Sequence, residues 1–200
     1  MNYLAHFHLS GDSEGMIAGA LLGDFIKGPL TDARIKQLAL PDEIIKGIKL
    51  HRKIDAYVDE LPALASLGRQ LPEGSRRYKG IFLDLFCDYA LIHHWQEIDA
   101  RPLTDYTAQV LQQLARQQQH LNSDARRLFQ RMVQYDLLNN YARRETIDSI
   151  IARIAHRLDR SAIFQNATHH MWQLETQWLG QFVTIYRDIQ AFADRQHKAL

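Results

Sequence analysis

The chain has 200 residues, 46% of them hydrophobic and 24% charged, a length and balance suited to one compact core. Its 24 Lys and Arg against 23 Asp and Glu leave a formal charge of +1, which excludes the strongly basic surface on which nucleic-acid binders depend. A single cysteine, Cys87, excludes a disulfide framework and a cysteine-based zinc site, so a reducing cytoplasm is the expected home.

The opening MNYLAHFHLS lacks the basic start and long apolar stretch of a signal peptide, and MIAGALLGDFI is too short and interrupted to span a bilayer. No membrane association is expected. His6 and His8 stand in an extended or early helical segment among Leu4, Phe7 and Leu9, and in a strand both would face one way. Ser13 is placed to cap a helix over residues 14–27, where Gly15, Gly19 and Gly23 would let another backbone approach closely. Gly28-Pro29 ends it.

Pro41, Asp42 and Glu43 open a helix that runs to about Glu60. Leu61–Ser75, with Pro62, Pro72 and Gly74, reads as a short helix or loop, after which RRYKG leads into a long helix through about Ile98, closed by Arg101-Pro102. Thr104 and Ser123 read as caps of two further helices, the second placing Leu128, Met132, Tyr135 and Leu138 on a core-facing stripe. A segment from near Glu145 carries Ile147, Ile150, Ile151 and Ile154, and a last one runs from about Ser161 to Arg195. The expected fold is all-α, a compact helical bundle in one domain.

Two segments, LHRKIDAYVD and LDLFCDYALIHHW, place acids and imidazoles one helical turn apart. His51 and Asp55 share a face, as do Asp84 and Asp88, and Asp59 continues the first line as a weaker member. With Asp84 at zero, roughly 100° per residue puts Asp88 at about 40°, His94 near −80° and His93 near 180°, so His94 flanks the acid stripe and His93 points away. Asp24 stands near the C-terminal end of its helix, where the dipole disfavours an acid and a cation would compensate.

Carboxylate and imidazole donors together suit Mn²⁺, Fe²⁺ or Zn²⁺, or Mg²⁺ where oxygen dominates, and the number of acids favours Mn²⁺ over Zn²⁺. Such an ion binds a phosphate oxygen and acidifies water, and a nearby His protonates a departing alkoxide. Against this stands a purely structural reading, because buried His and Asp also serve as hydrogen-bonded core groups. His120, His156, His169, His170 and His197 read as surface or packing residues, and Cys87 as a small core side chain.

MNYLAHFHLS, GALLGDFIKG, GIKLHRKIDAYVD and RRYKGIFLDLFCDYALIHHW follow in order the pattern of the acyl carrier protein phosphodiesterase family, which the chain resembles over about residues 1–100. The resemblance implies a cytoplasmic hydrolase that cuts the phosphodiester between 4′-phosphopantetheine and a serine of holo acyl carrier protein. It also implies a divalent metal, typically manganese, with Mg²⁺ or Fe²⁺ as alternatives, and distant kinship to the HD-type phosphohydrolases. The chain departs from that wider pattern in having no adjacent His-Asp dyad.

Carried over residue by residue, the resemblance places Asp24, His51, Asp55, Asp84 and Asp88 at the metal centre, with His6 and His94 as further ligands or proton donors. Because the implied carrier is strongly acidic, Arg52, Lys53, Arg76, Arg77 and Lys79 are the expected partner-binding cations. Two alternatives remain beside this: a small-nucleotide phosphohydrolase on a related scaffold, and a non-catalytic carrier-binding helical protein.

Overall fold

Helical periodicity in the sequence becomes thirteen α-helices in the computed structural model, which describes residues 1–200 and contains no strand. The first six are α1 (Tyr3–Leu9), α2 (Glu14–Leu22), α3 (Asp32–Leu38), α4 (Asp42–Glu60), α5 (Pro62–Arg69) and α6 (Lys79–His93). The remainder are α7 (Trp95–Ile98), α8 (Leu103–Arg116), α9 (Ser123–Gln134), α10 (Leu137–Asn140), α11 (Arg144–Arg157), α12 (Ser161–Gln173) and α13 (Glu175–His197). Their buried apolar faces form one contiguous cluster of 51 residues. No helix is long and apolar enough to cross a membrane.

The short helix α1 lies in the middle of this core, with Leu4, Ala5 and Phe7 fully buried, and packs on α2, α6 and α13. Next to it, α2 and α4 pack with their backbones in close approach. Ser13 caps α2, its Oγ accepting from the Met16 amide at 3.4 Å. The glycine stripe then explains the contact: a methyl group on Gly19 would collide with the Ile44 carbonyl and the Gly47 backbone, and one on Gly47 with the Met16 backbone. Gly19→Ala is therefore expected to destabilise the fold by about 3 kcal/mol. Gly80→Ala, exposed in α6 with nothing near the added methyl, is expected to stabilise it by about 1 kcal/mol. A urea denaturation midpoint that does not fall in Gly19→Ala would contradict the close packing of α2 on α4.

Several boundaries differ from those the sequence suggests. Helix α2 stops at Leu22, so Asp24 sits in the turn beyond it. The long helix expected through Ile98 breaks at His94 into α6 and α7, and the last segment breaks at Leu174 into α12 and α13. Thr104 lies inside the first turn of α8 rather than capping it, and Asn122, one residue before Ser123, caps α9 by accepting from the Ala125 amide at 2.9 Å. Tyr135, expected in the core, is 57% exposed because α9 ends there. His6 and His8 belong to a helix, where residues two apart point about 200° from each other, so they face different surroundings.

Candidate metal centre

Three elements meet around one carboxylate. Helix α1 brings His6, helix α4 brings His51 and Asp55 one turn apart, and the turn after α2 brings Asp24. Asp55 lies between the two imidazoles, with Oδ1 3.0 Å from His6 Nε2 and Oδ2 3.0 Å from His51 Nε2. The rings stack with centroids 3.9 Å apart, and Asp24 Oδ1 lies 3.6 Å from His51 Nε2. Gly23 makes room for this, since a side chain there would run into the His51 ring.

Electrostatics separates the two histidines. Burial, helped by the nearby His51 charge, lowers His6 to about 4, leaving it neutral near pH 7. Burial works against the His51 imidazolium as well, but Asp24 and Asp55 outweigh it and raise this ring to about 9. The same rings overcome the burial of Asp55 and hold its carboxyl well below the usual range; Asp24 is lowered likewise by His51.

This set fits a bound cation. Both ring nitrogens of His6, and Nδ1 of His51, are buried without a hydrogen-bond partner. His6 Nε2 faces Asp55 at 3.0 Å without hydrogen-bond alignment, an arrangement costly for buried polar atoms unless something lies between them. One donor atom each from His6, His51 and Asp55 lies within 4.8 Å of the others. Two nitrogens with carboxylate oxygen are a donor set for Mn²⁺, Fe²⁺ or Zn²⁺. Metal-binding imidazoles are commonly oriented through the second nitrogen. Here ring stacking and Gly23 do that work.

Asp84 and Asp88, one turn apart on α6, part company. Asp84 Oδ1 pairs with the Met1 α-amino group at 2.9 Å, and that group also lies 3.6 Å from Asp55 Oδ1. Burial opposes the ammonium, but Asp84 and Asp55 outweigh it and raise it to about 11. A positive group thus already stands between these two acids. Asp88, fully buried, accepts from the Leu4 amide at 2.9 Å and the Ala5 amide at 3.0 Å, which caps α1 from another helix. Both its oxygens are engaged.

His94 does not join the cluster. It ends α6 about 15 Å of helical rise beyond Asp84, with Nδ1 2.7 Å from Glu97 Oε1 and its ring stacked on Phe182. There it lines a surface cleft of 770 Å³, together with Trp95 and Arg101; none of the cluster residues lines that cleft. His93 bonds the Tyr89 carbonyl, His8 bonds the Tyr186 hydroxyl at 2.8 Å, and Asp59 is exposed.

Of the expected partner-binding cations, Arg52 is committed to the Ile26 and Gly28 carbonyls, anchoring the segment that follows Asp24. Lys53 donates to Gln196 Oε1 at 2.9 Å. Arg76 donates to the Leu71 carbonyl at 3.4 Å and Arg77 lies over the Tyr78 ring, both remaining exposed, as does Lys79, whose stem covers Gly68.

The family model for acyl carrier protein phosphodiesterase matches residues 1–189. The chain belongs to the acyl carrier protein phosphodiesterase family. A relative of that name from Serratia proteamaculans is 32% identical over 188 residues, covering 89% of this chain and 92% of the relative. One from Yersinia pestis is 28% identical over 195 residues, covering 95% and 98%. A third, from Escherichia coli O45:K1, is 32% identical over 115 residues, covering 57% and 56%. No solved structure matches the chain.

Two further contacts at the candidate centre differ in how far the sequence announces them. The Met1 amino group has no signature in the sequence, while the contact of Gly23 with His51 is foreshadowed by the glycine repeat on α2.

Proposed function

We propose that this protein is a metal-dependent phosphodiesterase that releases 4′-phosphopantetheine from the serine of holo acyl carrier protein, giving the apo form, and that it works in the cytoplasm. The observation that carries the metal is the convergence of two buried imidazoles with unpartnered nitrogens on the Asp55 carboxylate. The family name supplies the substrate class. His6, His51 and Asp55 would hold the ion, with Asp24 and Asp84 beside them. When bound, a divalent cation such as Mn²⁺ neutralises charge on a phosphoryl oxygen and acidifies water.

The chain contributes position. Asp55 presents one oxygen to each ring, Arg52 fixes the segment next to Asp24, and Asp88 holds α1 so that His6 faces the cluster. His6, neutral near pH 7, fits a ligand better than a proton donor. Scattered His and Asp on helices are what a distant kinship to HD-type hydrolases would supply, and the missing adjacent His-Asp dyad is where the chain departs from that pattern.

Intact-mass analysis of purified holo carrier protein tests the reading. Loss of the whole phosphopantetheine mass is expected with Mn²⁺ and none with a chelator. Loss under both conditions would remove the metal from the proposal, and no loss under either would remove the reaction.

A further inference from the structure

A second cluster of charge lies away from the metal centre, in a cleft of 520 Å³ where α9, α10 and α11 meet. Arg131 from α9, Arg143 from the residue before α11 and Arg153 from α11 line it, and all three are exposed. None has a carboxylate within ion-pair distance, whereas Arg116, Arg127 and Arg144 each do. Glu145 is the one acid on the lining. Like charges gathered without partners repel one another, and an anionic surface relieves that repulsion. Tyr135, 57% exposed, stands at the rim.

The cleft is open, its cations come from separate stretches of chain, and an exposed aromatic accompanies them. Arg and Tyr are the residue types that anchor protein interfaces, while small-ligand pockets are enclosed and largely apolar.

We infer that the Arg131–Arg143–Arg153 cleft is the docking surface for an acidic protein, namely the carrier that bears the phosphodiester. The inference rests on the proposed function for the identity of that partner. It also moves the main docking charge away from Arg76 and Arg77, which already have contacts of their own.

Fluorescence anisotropy with labelled apo carrier protein tests this by reading binding without turnover. The R131E/R153E variant is expected to raise the Kd about tenfold or more, with R131Q/R153Q intermediate and R76E/R77E affected less. The Kd of the unmodified protein should rise with salt, and that of R131E/R153E should rise far less. Circular dichroism confirms that these exposed substitutions leave the helices intact. Equal Kd values for the unmodified protein and R131E/R153E would overturn the inference, as would no binding at low salt. Competition by submillimolar inorganic phosphate would make the cleft a small-anion site and overturn it too. Binding lost in R131E/R153E, with no phosphopantetheine released by the unmodified protein, would defeat the hydrolase reading and leave docking intact.

Discussion

Asp55→Ala is expected to lower turnover by about a thousandfold, or ~4 kcal/mol of transition-state stabilisation, the scale of losing a metal ligand. Its carboxylate faces both imidazoles of the site, His6 and His51 at 3.0 Å each, and the Met1 amino group at 3.6 Å. The side chain is 41% exposed, so its loss leaves no large void and helical content should be retained. An independent reading comes from proton NMR of the metal-free protein. Asp55 is one of the two acids that raise His51 to about 9, so the His51 titration should move down toward its ordinary value in Asp55→Ala. His51→Ala should match the loss of turnover, and Asp24→Ala, whose oxygen is 3.6 Å from His51 Nε2, should lose less. Full turnover by Asp55→Ala would remove this cluster as the active site.

The helical class, the Ser13 cap, the span of α4 and the pairing of His51 with Asp55 are legible in the sequence because each depends on neighbours within one or two turns. The glycine stripe likewise announces a close helix partner, though not that Gly47 of α4 would be the residue met. What local spacing leaves out is what each face meets. Asp84 and Asp88 have the same spacing as His51 and Asp55, yet one receives an amino group and the other the amides of a helix more than eighty residues earlier in the chain.

His94 shows the same limit from another side. Projected on an unbroken helix it flanks the acids, but α6 ends at His93 and the ring turns to Glu97 and Phe182. His6 gains its place only through α1, a seven-residue helix too short to announce itself by periodicity. The arginine cleft is invisible locally because its cations are separated by ten or more residues and are brought together by the turn at Asp136, whose φ of 46° is left-handed.

Asp88→Ala is expected to destabilise the protein by about 3 kcal/mol, which would identify Asp88 as a cap rather than a ligand. The Leu4 and Ala5 amides are first-turn donors of α1, and Asn2, which precedes that helix, offers no side-chain cap. Leaving two such donors buried and unpaired costs about 1–3 kcal/mol each, partly offset because a carboxylate is no longer buried. The pH dependence gives a sharper signature. Burial raises Asp88 to about 7 against the pull of the Ala5 and Leu4 amides, from an ordinary value of 3.8. The folded form therefore holds more protons between pH about 4 and 7, so this group's contribution to stability declines as pH rises through that window and is level above it. His6, lowered to about 4, acts with the opposite sign over an overlapping range, so the informative quantity is the difference between the unmodified protein and Asp88→Asn. That difference should shrink from pH 4 to pH 7, and Asp88→Asn should still bind Mn²⁺ where Asp55→Ala does not. A pH-independent difference, or loss of Mn²⁺ binding in a well-folded Asp88→Asn, would return Asp88 to the metal and leave the burial of α1 without its electrostatic anchor.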